Sequence, residues 1–331
     1  DLSTTTYHFR LAPGVYTGTI SIDHSFPGTQ SFSIQGSGMN NTFIQGSAAW
    51  SGSTGNVLYF RDFVSIELKD VTVRHGAYGF YPRVADKVVM QRVRFKHCGS
   101  AGTVTRHNQS ATQAEQAAYW ASSDTSDGGA VRFRTIGEVS VHDCEVLYCA
   151  RGLRLQDCGN DGTASIVSGC KVYRTLEAGI YCAASTYTGT DGCKNMLITG
   201  NQVTETTNNG ILLIGGKDIT VQNNNIVRSA NTGVMQWHSL DSRIISNSLF
   251  DCNRRSFNGV GNLADAYGQI VIDGNSNISS TTGSHMAVVQ HNTMVKCNQG
   301  RAGAVYGINV QQSSGSGAYP TAKNKIVHDG N

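Results

Sequence analysis

The chain has 331 residues, of which 39% are hydrophobic and 15% charged, with a formal net charge of +3. That charge is too small to argue for a nucleic-acid partner. The apolar content is too high for a disordered chain, and no apolar run is long enough to span a bilayer. With 38 Gly and only 4 Pro, beside abundant Ser, Thr and Asn, the composition fits an all-β protein with many turns. No signal peptide is visible and the chain opens at Asp1 without Met, which reads as a mature form or a fragment.

In chain order, the first predicted strands lie in residues 11–22 and 31–46, two stretches of short alternating runs broken by Gly and Asn. Repeats then read well from about residue 60 to 310. One unit comprises residues 138–146 and then Gly152 to Leu155. The next has residues 164–167, Cys170, Val172 and Gly179 to Cys182. Another has Met196 to Ile198, Asn201, Val203 and Gly210 to Leu213. The following unit runs from Ile219 through Asn224 and Ile226 to Gly233 and Gln236. Three short strands per repeat, separated by turns, predict one turn of a coil. Stacked about 4.8 Å apart, ten or so coils would make a rod roughly 50 Å long. In residues 311–331 only 325–327 keep strand character.

Asparagine marks the period. Asn201, Asn224, Asn247 and Asn292 are separated by 23, 23 and 45 residues, the last close to two periods. Each follows an apolar residue by three and precedes another by two. Asn tolerates the left-handed conformation that a sharp turn needs, so it is expected to be the turn residue. Stacked amides are also expected to hydrogen-bond from coil to coil. Cys98, Cys149, Cys252 and Cys297 share a second register, which holds Thr175, Thr206 and Ser229 in other repeats. A slot that accepts Cys, Thr or Ser predicts a small buried stack. No CxxC pair suggests zinc, and no cofactor is expected, although a Ca²⁺ site built from loop Asp and carbonyls stays open.

Residues 11–22, strengthened by 31–46, resemble the first strands of the right-handed parallel β-helix superfamily, which includes pectate-lyase-like polysaccharide lyases and hydrolases and phage tailspike depolymerases. The resemblance implies one single-stranded right-handed parallel β-helix domain over 1–331. It also implies a polysaccharide partner, no membrane, and an extracellular, secreted or virion-surface location. A tailspike-like chain would be a homotrimer. Signatures that settle an activity within this superfamily are missing, including the Asp and Gly-His-Gly set of polygalacturonase-like hydrolases, the Arg-x-Pro-x-x-Arg of pectate lyases, the Asn-Gly-x-Glu of alginate lyases and the Asp-Pro-His of C5-epimerases. Fold alone does not fix function.

In the strand opened by the repeated Gly, the first residue is apolar and inward, so the second points outward. That outward column reads Tyr81, Arg132, Arg154, Tyr181, Leu212 and Met235. Two residues further come Arg83, Arg134, Gln156 and Trp237. Arg forks match carboxylates and sulfates, and aromatic faces stack on sugars, so the column predicts an exposed groove for an acidic polysaccharide. A solenoid wall with solvated Arg is the alternative. Residues 106–130 break the repeat as a partly helical insertion beside this column. In it, Tyr119 and Trp120 would grip a sugar or cover the core, and Asp124 and Asp127 would reach the groove. Residues 156–162 form a second loop with Asp157 and Asp161, and residues 253–267 a third with Arg254, Arg255 and Asp265.

Two mechanisms compete at the sequence level. In β-elimination, Arg132, Arg134 or Arg154 would neutralise a uronate carboxylate while Tyr181 or His238 acts as base, since Arg stays protonated. In glycoside hydrolysis, two carboxylates flank the bond at roughly 5–9.5 Å, and Asp124, Asp127, Asp157 and Asp161 form the pool. Asp in Gly- and Asn-rich loops also serves as a turn residue. His107 is a weak catalytic candidate, and His142 reads as an outward strand residue. A non-catalytic glycan-binding adhesin is the third class.

Overall fold

The computed structural model describes residues 5–23, 30–46, 55–99, 128–160, 162–184, 192–229, 231–252, 268–273, 286–295, 306–311 and 325–329. Within them every recorded strand pairing is parallel, and each strand pairs with the equivalent strand one coil away. Three ladders result. The first runs through residues 5–10, 30–35, 65–69, 87–91, 138–142, 165–168, 196–199, 219–222, 242–245, 286–290 and 325–329. The second runs through 14–17, 42–45, 72–74, 94–96, 145–149, 171–175, 202–204, 225–227, 248–250 and 293–295. The third runs through 20–23, 58–61, 80–83, 131–134, 153–156, 180–183, 211–214, 234–237, 270–273 and 306–311. This is the expected parallel β-helix, with ten or eleven strands per ladder among the described residues. In some coils the strand continues through a corner, as in Leu58–Arg74 and Tyr78–Lys96.

Inward residues of the three ladders fill one continuous core. In its N-terminal half Phe32, Phe60, Phe80 and Phe133 follow one another at ring separations of 4.6, 6.1 and 6.2 Å. Further on, Leu, Ile, Val and Cys take over, including Leu155, Cys182, Leu213 and Ile272. Cys98, Cys149 and Cys252 are fully buried in the slot shared with Thr175, Thr206 and Ser229, as expected. Cys297 lies outside the described residues.

The Asn column is an amide ladder. Asn201 Nδ2 donates to Asn224 Oδ1 at 2.9 Å, Asn224 Nδ2 to Asn247 Oδ1 at 3.0 Å, and Asn247 Nδ2 to Asn292 Oδ1 at 3.0 Å. Each Oδ1 also accepts a backbone N–H from the previous coil, from Asn201, Asn224 and Asn247 at 2.9 to 3.0 Å. Cys170 N–H reaches Asn201 Oδ1 in the same way. The expectation that these Asn adopt the turn conformation is corrected. The left-handed residue is the one before, Gly200, Asn223, Ser246 and His291, at φ between 53° and 64°. The corner needs one positive-φ residue, and the ladder Asn follows it, pointing inward where a buried backbone N–H needs a partner.

The repeated Gly has a packing cause. An added Cβ on Gly152 would lie 1.8 Å from the Gly179 carbonyl oxygen, and one on Gly210 would lie 2.7 Å from that of Gly233. Successive coils approach through these backbones, so the position has no room for a side chain.

Candidate functional site

Outward residues of the third ladder make a row of side chains one rung apart. Tyr59 faces Tyr81, Arg132 faces Arg154, and Arg154 faces Tyr181. Each is half-buried, because its neighbours above and below cover its flanks. Tyr59 and Tyr81 meet edge to face at 5.5 Å. The Arg132 guanidinium lies 5.2 Å from the centroid of Tyr81 and 5.9 Å from that of Tyr78. It also donates from Nε and Nη2 to Gln156 Oε1, at 3.3 and 3.0 Å. Arg154 sits 5.4 Å over the Tyr181 ring. Cation–π contact and the Gln156 amide hold these guanidinium planes in fixed directions.

Two residues along, Arg61, Arg83 and Arg134 occupy successive rungs and lead to Gln156. Arg61 has acidic neighbours, Asp62 at 3.2 Å and Asp23 at 3.6 Å. No carboxylate among the described residues pairs with Arg83 or Arg134. Like charges on facing rungs destabilise a sheet, and here three arginines stand in line beside Arg132 and Arg154. The result is a wall of aromatic rings and cations along several coils.

Beneath this wall Tyr78 is buried, its ring 5.5 Å from Tyr81. Arg151 holds Glu177 through two bonds, Nε to Oε2 at 2.5 Å and Nη2 to Oε1 at 2.7 Å. Burial works against the Arg151 charge, but the bonds and charge of Glu177, with Tyr78 beside it, raise its pKa on balance. This ion pair anchors the corner from which the Arg154 strand starts.

Past Tyr181 the column changes character. Leu212, Met235 and Val271 occupy the next rungs and are buried at 7%, 1% and 0% exposure. With Ala178 and Ile214 they form a second apolar cluster outside the coil, against which Tyr181 and Trp237 pack. The expectation of one exposed face from Tyr81 to Met235 is therefore corrected, because Leu212 and Met235 are covered. Gln156 is also buried, at 6% exposure, and braces Arg132. The half-exposed wall ends at Tyr181, beside the apolar cluster.

The other sequence candidates separate. Asp157 has φ 52° and supplies the left-handed corner after the strand Leu153–Gln156, which is the turn role that Asp often fills. His238 lies in the strand Val234–Leu240, and its side chain is outside the described residues. So are His107, Tyr119, Trp120, Asp124, Asp127, Asp161, Arg254, Arg255 and Asp265. His142 lies between two serines, with Nε2 2.9 Å from Ser140 Oγ and Nδ1 2.7 Å from Ser168 Oγ. Among the described residues no group of three His, Cys, Asp or Glu side chains is arranged to hold a metal. No helix there is long and apolar enough to cross a membrane. Sequence reasoning missed Tyr59, Tyr78 and Arg61. Tyr59 and Arg61 stand one period before Tyr81 and Arg83, a signal that a column started one coil earlier would have caught.

A family match agrees with this architecture. The family described as "Right handed beta helix region" matches residues 56–226, and the chain belongs to that family. No curated protein sequence matches it. Among solved structures, the A-module of the mannuronan C-5 epimerase AlgE4 from Azotobacter vinelandii is similar at 14% identity. The match covers 98% of this chain and 86% of that one, with a TM-score of 0.49. The AlgE6 A-module of the same organism is similar at 13% identity over 98% and 91% of the two chains, TM-score 0.46. Pantoea stewartii WceF, described as a glycan biofilm modifying enzyme with a tailspike-like parallel β-helix fold, is 11% identical over 96% and 35%, TM-score 0.44.

Proposed function

We propose that the chain binds an acidic polysaccharide along the outward face of the third ladder and cleaves it by β-elimination. The observation that carries this reading is the run Tyr59, Tyr81, Arg132, Arg154 and Tyr181 on neighbouring rungs, backed by Arg83 and Arg134. Rungs about 4.8 Å apart are close to the advance per sugar of an extended polysaccharide. Successive sugars would therefore meet rings at Tyr59, Tyr81 and Tyr181 and guanidinium groups at Arg132 and Arg154.

In the proposed step a uronate carboxylate lies against Arg132 and Arg154. Their charge stabilises the carbanion character that develops at the carbon next to the carboxylate. Tyr181 Oη, as phenolate, takes the proton from that carbon. The electron pair left behind forms the C4=C5 double bond, and the C4–O bond to the neighbouring sugar breaks. The departing oxygen takes a proton, which Tyr181 is placed to return. The products are an unsaturated uronate and a new chain end. Arg154 over the Tyr181 ring brings the electrophilic group and the base to adjacent rungs. His238 is the alternative base. Polymers of this kind lie outside cells, so the proposal includes an extracellular or virion-surface setting.

The test is incubation of the purified chain with a panel of acidic and neutral polysaccharides, following ultraviolet absorbance and reducing ends together. The expected result is a parallel rise of both on a uronate polymer. Reducing ends without absorbance would mean hydrolysis, and no product from any polymer would contradict the enzymatic reading.

A further inference from the structure

A second cationic cluster lies around the corner from this wall. Arg74 and Lys96 end the second-ladder strands of neighbouring coils and face each other directly in register. His75 and His97 follow them at the corner, at φ 58° and 54°, with ring centroids 5.7 Å apart. Arg74 is held by a bond from Nε to Gln45 Oε1 at 2.9 Å and lies 4.9 Å over the Phe43 ring. Tyr148 closes the other end, 5.7 Å from His97. All four basic side chains are half-buried.

The charge pattern here departs from its surroundings. Several cations elsewhere on the first and second ladders and their corners meet carboxylates: Arg92 with Asp70 at 2.7 Å, Lys87 with Glu138 at 2.8 Å, Arg94 with Glu145 at 2.6 Å and Arg174 with Glu205 at 2.6 Å. Among the described residues no carboxylate pairs with Arg74 or Lys96. The acid nearest in register on this face, Glu145, stands two residues back along the strand and is taken by Arg94. Among the described residues, Gln45, Phe43, Leu147 and Tyr148 stand beside the cluster, and none carries a carboxylate. Two like charges on facing rungs, with two imidazoles beside them, destabilise the coil unless something neutralises them.

We propose that Arg74, His75, Lys96 and His97 form a binding site for an oxyanion, a sulfate, phosphate or carboxylate that is free or borne on a glycan. Arg74 offers a planar fork, Lys96 a mobile ammonium, and each protonated imidazole two further N–H donors. Burial, and then the neighbouring cations, hold both imidazoles below their ordinary range near 6.5. As pH falls through that range the unfolded chain takes up protons first, so the pair lowers stability there. A bound oxyanion reverses this, because it favours the protonated imidazoles. Binding is therefore tighter on the acid side. The site does not depend on the third-ladder reading, since its residues belong to the second ladder and the corner that follows it.

The experiment is NMR titration of the His75 and His97 ring signals with sulfate, and separately with a uronate trimer, at pH 6 and pH 8. Chloride keeps the ionic strength constant. The expected result is a saturable shift of both rings with at least one anion, tighter at pH 6, and a rise in both pKa values. Lys96→Gln should weaken the binding about tenfold, and Arg74→Gln serves the same purpose if the first variant does not fold. Overturning results are a shift that grows linearly with both anions as it does with chloride, or saturable binding unchanged by either substitution.

Discussion

Replacing Asn224 by Leu is expected to destabilise the protein by about 3–5 kcal/mol, seen as a lower urea midpoint. Asn224 accepts the backbone N–H and the side-chain amide of Asn201, and donates to the Ile198 carbonyl at 2.9 Å and to Asn247 Oδ1. Leu fills much of the volume but leaves the Asn201 N–H and the Ile198 carbonyl buried without these partners. Each orphaned group costs about 1–3 kcal/mol. The exposed neighbour Asn223 gives the control. It occupies the left-handed corner at φ 55°, and Asn223→Gly keeps that conformation at little cost, within about 0.5 kcal/mol. If the two substitutions had equal effects, the ladder would contribute nothing beyond the turn.

The joint substitution Arg132→Ala with Arg154→Ala is expected to lower turnover of a uronate polymer by more than about a hundredfold, with the fold retained. The two guanidinium groups stand on facing rungs and approach Tyr81 and Tyr181. In the proposed step they carry the charge that develops on the substrate carboxylate. Arg132 also braces Gln156, so a near-ultraviolet spectrum and a melting curve should accompany the rates. Unchanged turnover in a folded double variant would move the chemistry elsewhere on the molecule.

Much of the coil was legible in the chain because its physics repeats. The 23-residue Asn step reports a ladder that must recur once per coil, and the Gly before several third-ladder strands reports a backbone approach with no room for Cβ. The period-two rule then oriented Tyr81, Arg132, Arg154 and Tyr181 outward, as the structure has them. The role of Asn was half legible. Its amide stacking followed from spacing, but the left-handed duty falls one residue earlier, on Gly200, Asn223, Ser246 and His291, which share no side-chain type. The covering of Leu212 and Met235 could not be read from alternation, which separates in from out but not exposed from covered. Their apolar character was the available signal, since Leu and Met are costly to leave facing water in a row. The basic corner was also written in the chain. Arg74-His75 and Lys96-His97 recur one coil apart, but a search centred on the Gly-opened strands passes over the corner before them.

The location of the sugar is the most direct test of the account. A crystal structure of the Tyr181→Phe chain with a uronate oligosaccharide should place successive sugars along Tyr59, Tyr81, Arg132, Arg154 and residue 181. At least one carboxylate should lie within hydrogen-bonding distance of Arg132 or Arg154. Ordered sugar on another face of the coil, with the third-ladder wall left bare, would contradict the account.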